Sequence, residues 1–114
     1  MGDVAREAKR WYWQRISAMV LALCVLVHLA TIVYAVRSGL SAEALLARTR
    51  GSVAFAAFYT VFVAACAVHV PIGLAHVGEE WLGLARRTAN GLAHAFAVLL
   101  AILGMTAVYA MVAA

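Results

Sequence analysis

Two histidines and a glycine share one helical face near the end of a long apolar segment, AVHVPIGLAHVGEEW (residues 67–81). On an α-helix, His69, Gly73 and His76 follow at steps of four and three residues and form one stripe. His69 precedes Glu80 by eleven residues, which places it about 16 Å into a membrane. A neutral imidazole nitrogen is the usual axial ligand of haem iron, and a neighbouring glycine leaves a flat gap for a porphyrin edge. The pattern predicts His69 as an axial haem ligand, with Gly73 and His76 in the haem pocket. A hydrogen bond from His69 to a neighbouring helix is the alternative.

A third histidine, His28, lies in another apolar segment, thirteen residues after Arg15. That separation corresponds to about 20 Å along a helix and places His28 in the opposite half of the membrane. Ionisable residues at such depth are rare and usually functional. His28 is therefore either an axial ligand of a second haem or a hydrogen-bond donor to a carbonyl across a helix interface. The remaining histidine, His94, lies only seven residues beyond Arg87, and packing is the role expected for it.

Four residues at the ends of these two segments have the chemistry of a quinone site: Arg15, Ser17, Glu80 and Trp81. Quinone reduction takes up electrons together with protons, so the site needs donors to the carbonyl oxygens and an acidic group open to water. Arg15 can polarise an oxygen, Trp81 can donate its indole N–H, and Glu80 can relay protons. The four residues are predicted to bind quinone, and ordinary anchoring at the membrane interface is the alternative.

The elements that must position these residues are membrane spans. Hydrophobic residues make up 67% of the 114-residue chain and charged residues only 12%, against about 25% charged in soluble domains. Three windows without charge each meet the roughly 20 residues that a helix needs to cross a bilayer. The prediction is an all-α membrane protein with one membrane-anchor domain (1–114), spans at about 13–36, 53–78 and 89–113, and an interfacial helix at about 41–49.

The distribution of charge predicts the orientation and the surroundings of the chain. Lys and Arg number six on the side that holds the N-terminus and the loop after the second span, and three on the other side. This bias places the N-terminus in the cytoplasm. Residues 1–12 are expected to form a short polar helix on the membrane surface. The cations sit at helix ends and leave no basic stripe, so nucleic acid is not an expected partner. Three such helices close a bundle poorly, so a larger bundle with a partner membrane subunit is expected.

The sequence resembles a known family in two places. HVPIGLAH (69–76) resembles the H-xxx-G-[IL]-x-H haem segment of succinate dehydrogenase and fumarate reductase membrane anchors, the cytochrome b subunits. QRISA (14–18) resembles the R-x-[ST]-[AG] start of their first helix. Size, span number and orientation are most similar to the smaller, three-helix anchor.

The resemblance implies a non-flavin subunit of a succinate:quinone oxidoreductase or fumarate reductase in a bacterial-type cytoplasmic membrane. Its implied partners are a flavoprotein subunit with FAD, an iron–sulfur subunit, a second membrane anchor, and quinone as substrate. One or two b haems would be shared with the partner anchor, and the chain alone would have no activity.

The family's functional residues can be compared with this chain position by position, and some of them match. The resemblance implies that His69 is the axial ligand and that Arg15 is the arginine on the quinone side. His28 is similar to the first-helix ligand of relatives with two haems. Glu80 and Trp81 stand where many small anchors carry an Asp-Tyr pair, so both side-chain shapes differ there.

Two other functions are compatible with the pattern. The first is a haem-free structural anchor whose histidines only hold helices together. The second is a small transport subunit in which His69 relays protons, and this function predicts an acidic residue within a span. No Asp or Glu occurs between residues 16 and 36, 51 and 78, or 88 and 114.

Overall fold

A computed structural model of the chain describes residues 2–113, which form four α-helices joined by short turns. They are α1 (Gly2–Arg37), α2 (Ala42–Thr49), α3 (Val53–Trp81) and α4 (Arg86–Val112). Helices α1, α3 and α4 are each long and apolar enough to cross a membrane. The prediction of an all-α protein with three membrane spans is therefore confirmed, and across residues 2–113 no strand is present.

The first helix differs from the sequence prediction. From Gly2 onwards, the residues expected to form a separate surface helix are the first turns of α1, which continues without interruption to Arg37. Its 36 residues correspond to a length of about 54 Å, well beyond the roughly 30 Å of a hydrocarbon core. The early turns of α1 pack beside the connection between α3 and α4, where Arg86 Nη2 donates to Glu7 Oε1 at 3.3 Å and Arg86 Nε lies 3.7 Å from Glu79 Oε1.

The short helix α2 closes the opposite end of the bundle. The side chain of Ser41 caps its first turn by accepting the backbone N–H of Ala44 at 3.2 Å. At its other end, the Thr49 hydroxyl donates to the carbonyl of Met111 at 2.8 Å. The N–H of Gly51 donates to the carbonyl of Val112 at 2.7 Å. These two donors satisfy carbonyls in the last turn of α4 that have no partner within that helix.

Helix α3 lies between α1 and α4 and packs against both, while α1 and α4 contact each other little. The packing of α3 on α4 relies on small side chains, and Ala75, Ala89 and Ala93 are almost completely buried. The small residues of α4 therefore allow it to approach α3 of the same chain closely. Most large apolar side chains point outward, as expected for surfaces that face lipid or another membrane subunit.

Candidate functional site

His69 lies on α3, which runs as one α-helix through the buried Pro71. Its Nδ1 is enclosed and has no hydrogen-bond partner among residues 2–113, whereas the ring as a whole remains partly exposed. Buried polar atoms are rarely left unsatisfied. Nδ1 of His69 is therefore an unsatisfied polar atom within this chain. Since Nδ1 is enclosed, Nε2 is the nitrogen that the ring can offer to an external ligand.

Gly73 faces α1. A Cβ atom added at Gly73 would lie 3.3 Å from Nε2 of Gln14, so the side chain of Gln14 occupies the space beside the glycine. The side-chain oxygen of Gln14, like Nδ1 of His69, is enclosed without a partner among residues 2–113. Gln14 was not predicted as a site residue. It stands three residues before Ser17, and this helical spacing could have indicated that both side chains lie on the stripe of α1 that faces α3.

His76 is exposed and lines a cleft of about 510 Å³ between α1 and α3. We call this space the α1–α3 cleft; it is also lined by Val4, Glu7, Ala8, Arg10, Trp11, Gln14, Ile72 and Arg86. The cleft offers an indole N–H, an amide and guanidinium groups beside His76. Except for His76, none of these side chains was predicted as a site residue, because the contact between the first turns of α1 and the end of α3 joins residues far apart in sequence.

The four predicted quinone residues are not gathered by this chain into one cavity. Arg15 is exposed and stacks over the ring of Trp11, with its Cζ 5.1 Å from the ring centroid. Ser17 is only 4% exposed, and its hydroxyl donates to the backbone carbonyl of Gln14 at 3.2 Å. Glu80 and Trp81 are both exposed at the end of α3. A quinone site built on these residues needs walls from another subunit.

His28 has a partner that the sequence analysis did not anticipate. Its Nδ1 lies 3.0 Å from the hydroxyl of Tyr59 on α3, where a backbone carbonyl was the expected alternative. The imidazole also packs edge-to-face against the rings of Tyr59 and Phe62, with ring centroids 5.6 Å apart in each pair. These rings line an apolar cavity of about 500 Å³ between α3 and α4, together with residues such as Cys66 and Phe96. With Nδ1 engaged, Nε2 is the nitrogen of His28 that remains for a ligand.

Removing the Tyr59 hydroxyl tests its bond with His28. Tyr59→Phe is expected to lower the free energy of unfolding by about 0.5–1.5 kcal/mol, because the imidazole then loses its partner in a largely apolar setting. Unfolding of the detergent-solubilised protein, followed by circular dichroism, measures the change. Tyr109→Phe is the matched control, since Tyr109 is 67% exposed. Equal effects of the two substitutions would contradict a stabilising His28–Tyr59 bond.

Over residues 2–113, no group of three or more His, Cys, Asp or Glu side chains is gathered in a way that could hold a metal ion. A haem iron differs, because the porphyrin supplies most of its ligands and the protein needs to add only axial ones. His69 and His28 are single histidines, and a haem would need only single ligands of this kind from the chain.

Comparison with known proteins gives one match. A family model described as succinate dehydrogenase/fumarate reductase transmembrane subunit matches residues 3–110. No curated protein and no solved structure matches the chain. The matched range includes all four helices except the first residue of α1 and the last two residues of α4.

Proposed function

Because the chain belongs to the family of succinate dehydrogenase/fumarate reductase transmembrane subunits, we propose that it is the cytochrome b anchor of such a complex. In this role it binds b haem and helps to form the quinone site that receives electrons from an iron–sulfur subunit. The observation that carries the proposal is the exposure of the His69 imidazole: its Nδ1 is enclosed, whereas the ring as a whole remains partly exposed.

The described residues fit a haem on this surface. A ligating histidine normally engages its second ring nitrogen with another group, which fixes the tautomer and the orientation of the ring. Nδ1 of His69 has no such partner among residues 2–113 and is enclosed, so packing would have to fix the orientation of this ring. The space beside Gly73, one turn away, is taken by the side chain of Gln14 from α1, so a porphyrin edge would lie next to this contact and not in the gap at Gly73. His69 would hold the iron through Nε2, and a bound haem would supply reversible one-electron transfer.

A second haem, at His28, is a further part of the proposal. Tyr59 orients His28 by contacting Nδ1, and the surrounding rings and aliphatic side chains offer an apolar setting for a macrocycle. The number of haems in the purified complex decides this point. Two haems, with one lost in His28→Ala, support the second site; one haem that His28→Ala leaves in place limits His28 to its contact with Tyr59.

The assembly proposed for the chain follows from its membrane surface and its family. The outward apolar faces of α1 and α4 leave room for a second membrane anchor, which would supply the other ligand of the haem held by His69. A flavoprotein subunit with FAD and an iron–sulfur subunit would bind at the end that carries the N-terminus. Lys and Arg are more numerous at this end, and the positive-inside bias then puts it in the cytoplasm of a bacterial-type membrane.

The quinone residues are proposed at the same end. Arg15→Gln is expected to lower kcat/KM for quinone in the assembled complex by about tenfold to a hundredfold, because a charge-assisted hydrogen bond to a quinone oxygen is lost. Quinone reductase activity, measured with the complex's own dicarboxylate substrate, gives this ratio. Arg37→Gln, which removes the same charge at the other end of α1, is the control. Equal rates for Arg15→Gln and the unmodified complex would exclude Arg15 from the site.

Purification of the complex through a tag on this chain tests the function as a whole. The expected result is co-purification of a flavoprotein and an iron–sulfur protein, together with a b-type band in the reduced-minus-oxidised visible spectrum. A complete complex without that band would identify a haem-free structural anchor. Proton uptake by liposomes that contain this chain alone would favour the transport function instead.

A further inference from the structure

A cavity outside the proposed haem and quinone residues lies between α1 and α4, over the surface of α3. Its volume is about 270 Å³, and its lining consists of Arg6, Arg10, Pro71, Ile72, Asn90 and His94. We call it the arginine cavity. None of these residues was predicted to bind a cofactor or substrate. The cavity therefore raises the question of which ligand its charge and position would select.

The lining of the arginine cavity is cationic. Arg6 and Arg10 are four residues apart on α1, so both guanidinium groups lie on the same side of the helix. Among residues 2–113, neither arginine forms an ion pair, and the lining includes no carboxylate. The nearby carboxylate of Glu7 is engaged by Arg86. Two like charges that share one cavity repel each other, and a bound anion would remove that repulsion.

The α4 side of the arginine cavity adds polar groups without adding negative charge. Nδ1 of His94 lies 2.7 Å from the backbone carbonyl of Asn90, so this nitrogen carries the proton and donates. Nε2 of His94 is then the atom left for other partners. The role of His94 is thus a bond within its own helix and one wall of this cavity, where the sequence analysis expected packing. The Asn90 amide can contribute further N–H donors.

The depth of the arginine cavity corresponds to the boundary between head groups and hydrocarbon. Arg86 of α4 pairs with Glu7 of α1 and with Glu79 of α3, so charged groups of all three helices lie at one level of the bundle. We take this level as the head-group side of the boundary. Arg10 lies three residues beyond Glu7 on α1, about 4–5 Å deeper. The floor beneath the guanidinium groups is apolar, formed by Pro71 and Ile72. A ligand with an anionic head and an apolar body matches this change from a cationic rim to an apolar floor.

We propose that the arginine cavity binds the phosphate group of an anionic membrane lipid, with Arg6 and Arg10 as its main ligands. Guanidinium groups hold phosphate oxygens through paired, charge-assisted hydrogen bonds. Basic pockets between membrane helices are suited to anionic head groups. The lipid would join α1 to α4, two helices that otherwise contact each other little. Free inorganic phosphate shares the same chemistry and is distinguished by the test below.

The test uses the membrane complex that contains the full chain, delipidated in neutral detergent. Phosphatidylglycerol, phosphatidylcholine and inorganic phosphate are added separately, and the shift in Tm and the lipid adducts seen by native mass spectrometry are recorded. Phosphatidylglycerol is expected to raise Tm and to remain bound, and phosphatidylcholine is not. In Arg6→Gln/Arg10→Gln, the affinity for phosphatidylglycerol is expected to fall about tenfold or more.

Lys9→Gln is the matched control, since it removes one positive charge from the same helix at an exposed residue that does not line the cavity. This variant is expected to keep the response to phosphatidylglycerol. Equal loss in Lys9→Gln and the double variant would overturn the site in favour of general surface charge. A response to inorganic phosphate that the lipid does not increase would overturn the lipid as ligand. If the double variant does not assemble, Arg10→Gln alone is compared with Lys9→Gln by the same criteria.

Discussion

Replacing His69 with alanine is expected to remove the b-type haem band from the purified complex. The imidazole of His69 has an enclosed Nδ1 and a partly exposed ring, and the substitution removes it. If His69 holds the haem as proposed, the variant lacks that ligand, and loss of haem during purification is the expected result. The measurement is the reduced-minus-oxidised spectrum, with haem quantified per flavin.

Two further variants separate ligation from a structural effect of the same residue. His94→Ala is the control, because His94 is exposed and bonds within its own helix; it is expected to leave the band unchanged. His69→Met offers a thioether in place of the imidazole, and a haem with histidine and methionine ligands has a raised midpoint potential. A band that persists at an unchanged potential in both His69 variants would disprove ligation by this residue.

The number of membrane-spanning helices could be predicted from the sequence, because it depends on local composition. Apolar windows of sufficient length predict three spans, and the structure has three helices long and apolar enough to cross a membrane. The separate surface helix expected over residues 1–12 is instead, from Gly2, the beginning of α1. The cations before Trp13 suggest a helix on the membrane surface, but these turns continue into the span, and Glu7 pairs with Arg86 of α4. That pair joins residues 79 positions apart, and no local pattern contains it.

The candidate site could be predicted only in part, because its contacts also join residues that are far apart in sequence. Helical periodicity is enough to place His69, Gly73 and His76 on one stripe of α3. It does not reveal what faces the stripe, and the side chain of Gln14 against Gly73 and the hydroxyl of Tyr59 against His28 emerge only from the packing of α1 on α3. Whether Arg15 and Trp81 share a quinone site depends on another subunit and stays a prediction.

The contact between α3 and α4 positions the helix that carries His69. This contact is close at Gly104, where an added Cβ would lie 2.8 Å from Cγ2 and 2.9 Å from Cγ1 of Val63. Valine has few rotamers available in a helix, so its methyl groups cannot turn away easily. A side chain at Gly104 must therefore push the two helices apart.

Gly104→Leu is accordingly expected to lower the free energy of unfolding by about 3 kcal/mol through overpacking. Unfolding in detergent, followed by circular dichroism, measures the loss. Gly91→Leu is the matched control on the same helix, since a Cβ at Gly91 meets no atom within 4 Å; it is expected to be stabilising by up to about 0.8 kcal/mol through helix propensity. Combining Gly104→Ala with Val63→Ala should cost less than the sum of the single substitutions, because the smaller side chain at position 63 makes room for the new Cβ. Additive effects of the two alanine substitutions, or equal effects of leucine at Gly104 and Gly91, would show that this contact does not set the spacing of α3 and α4.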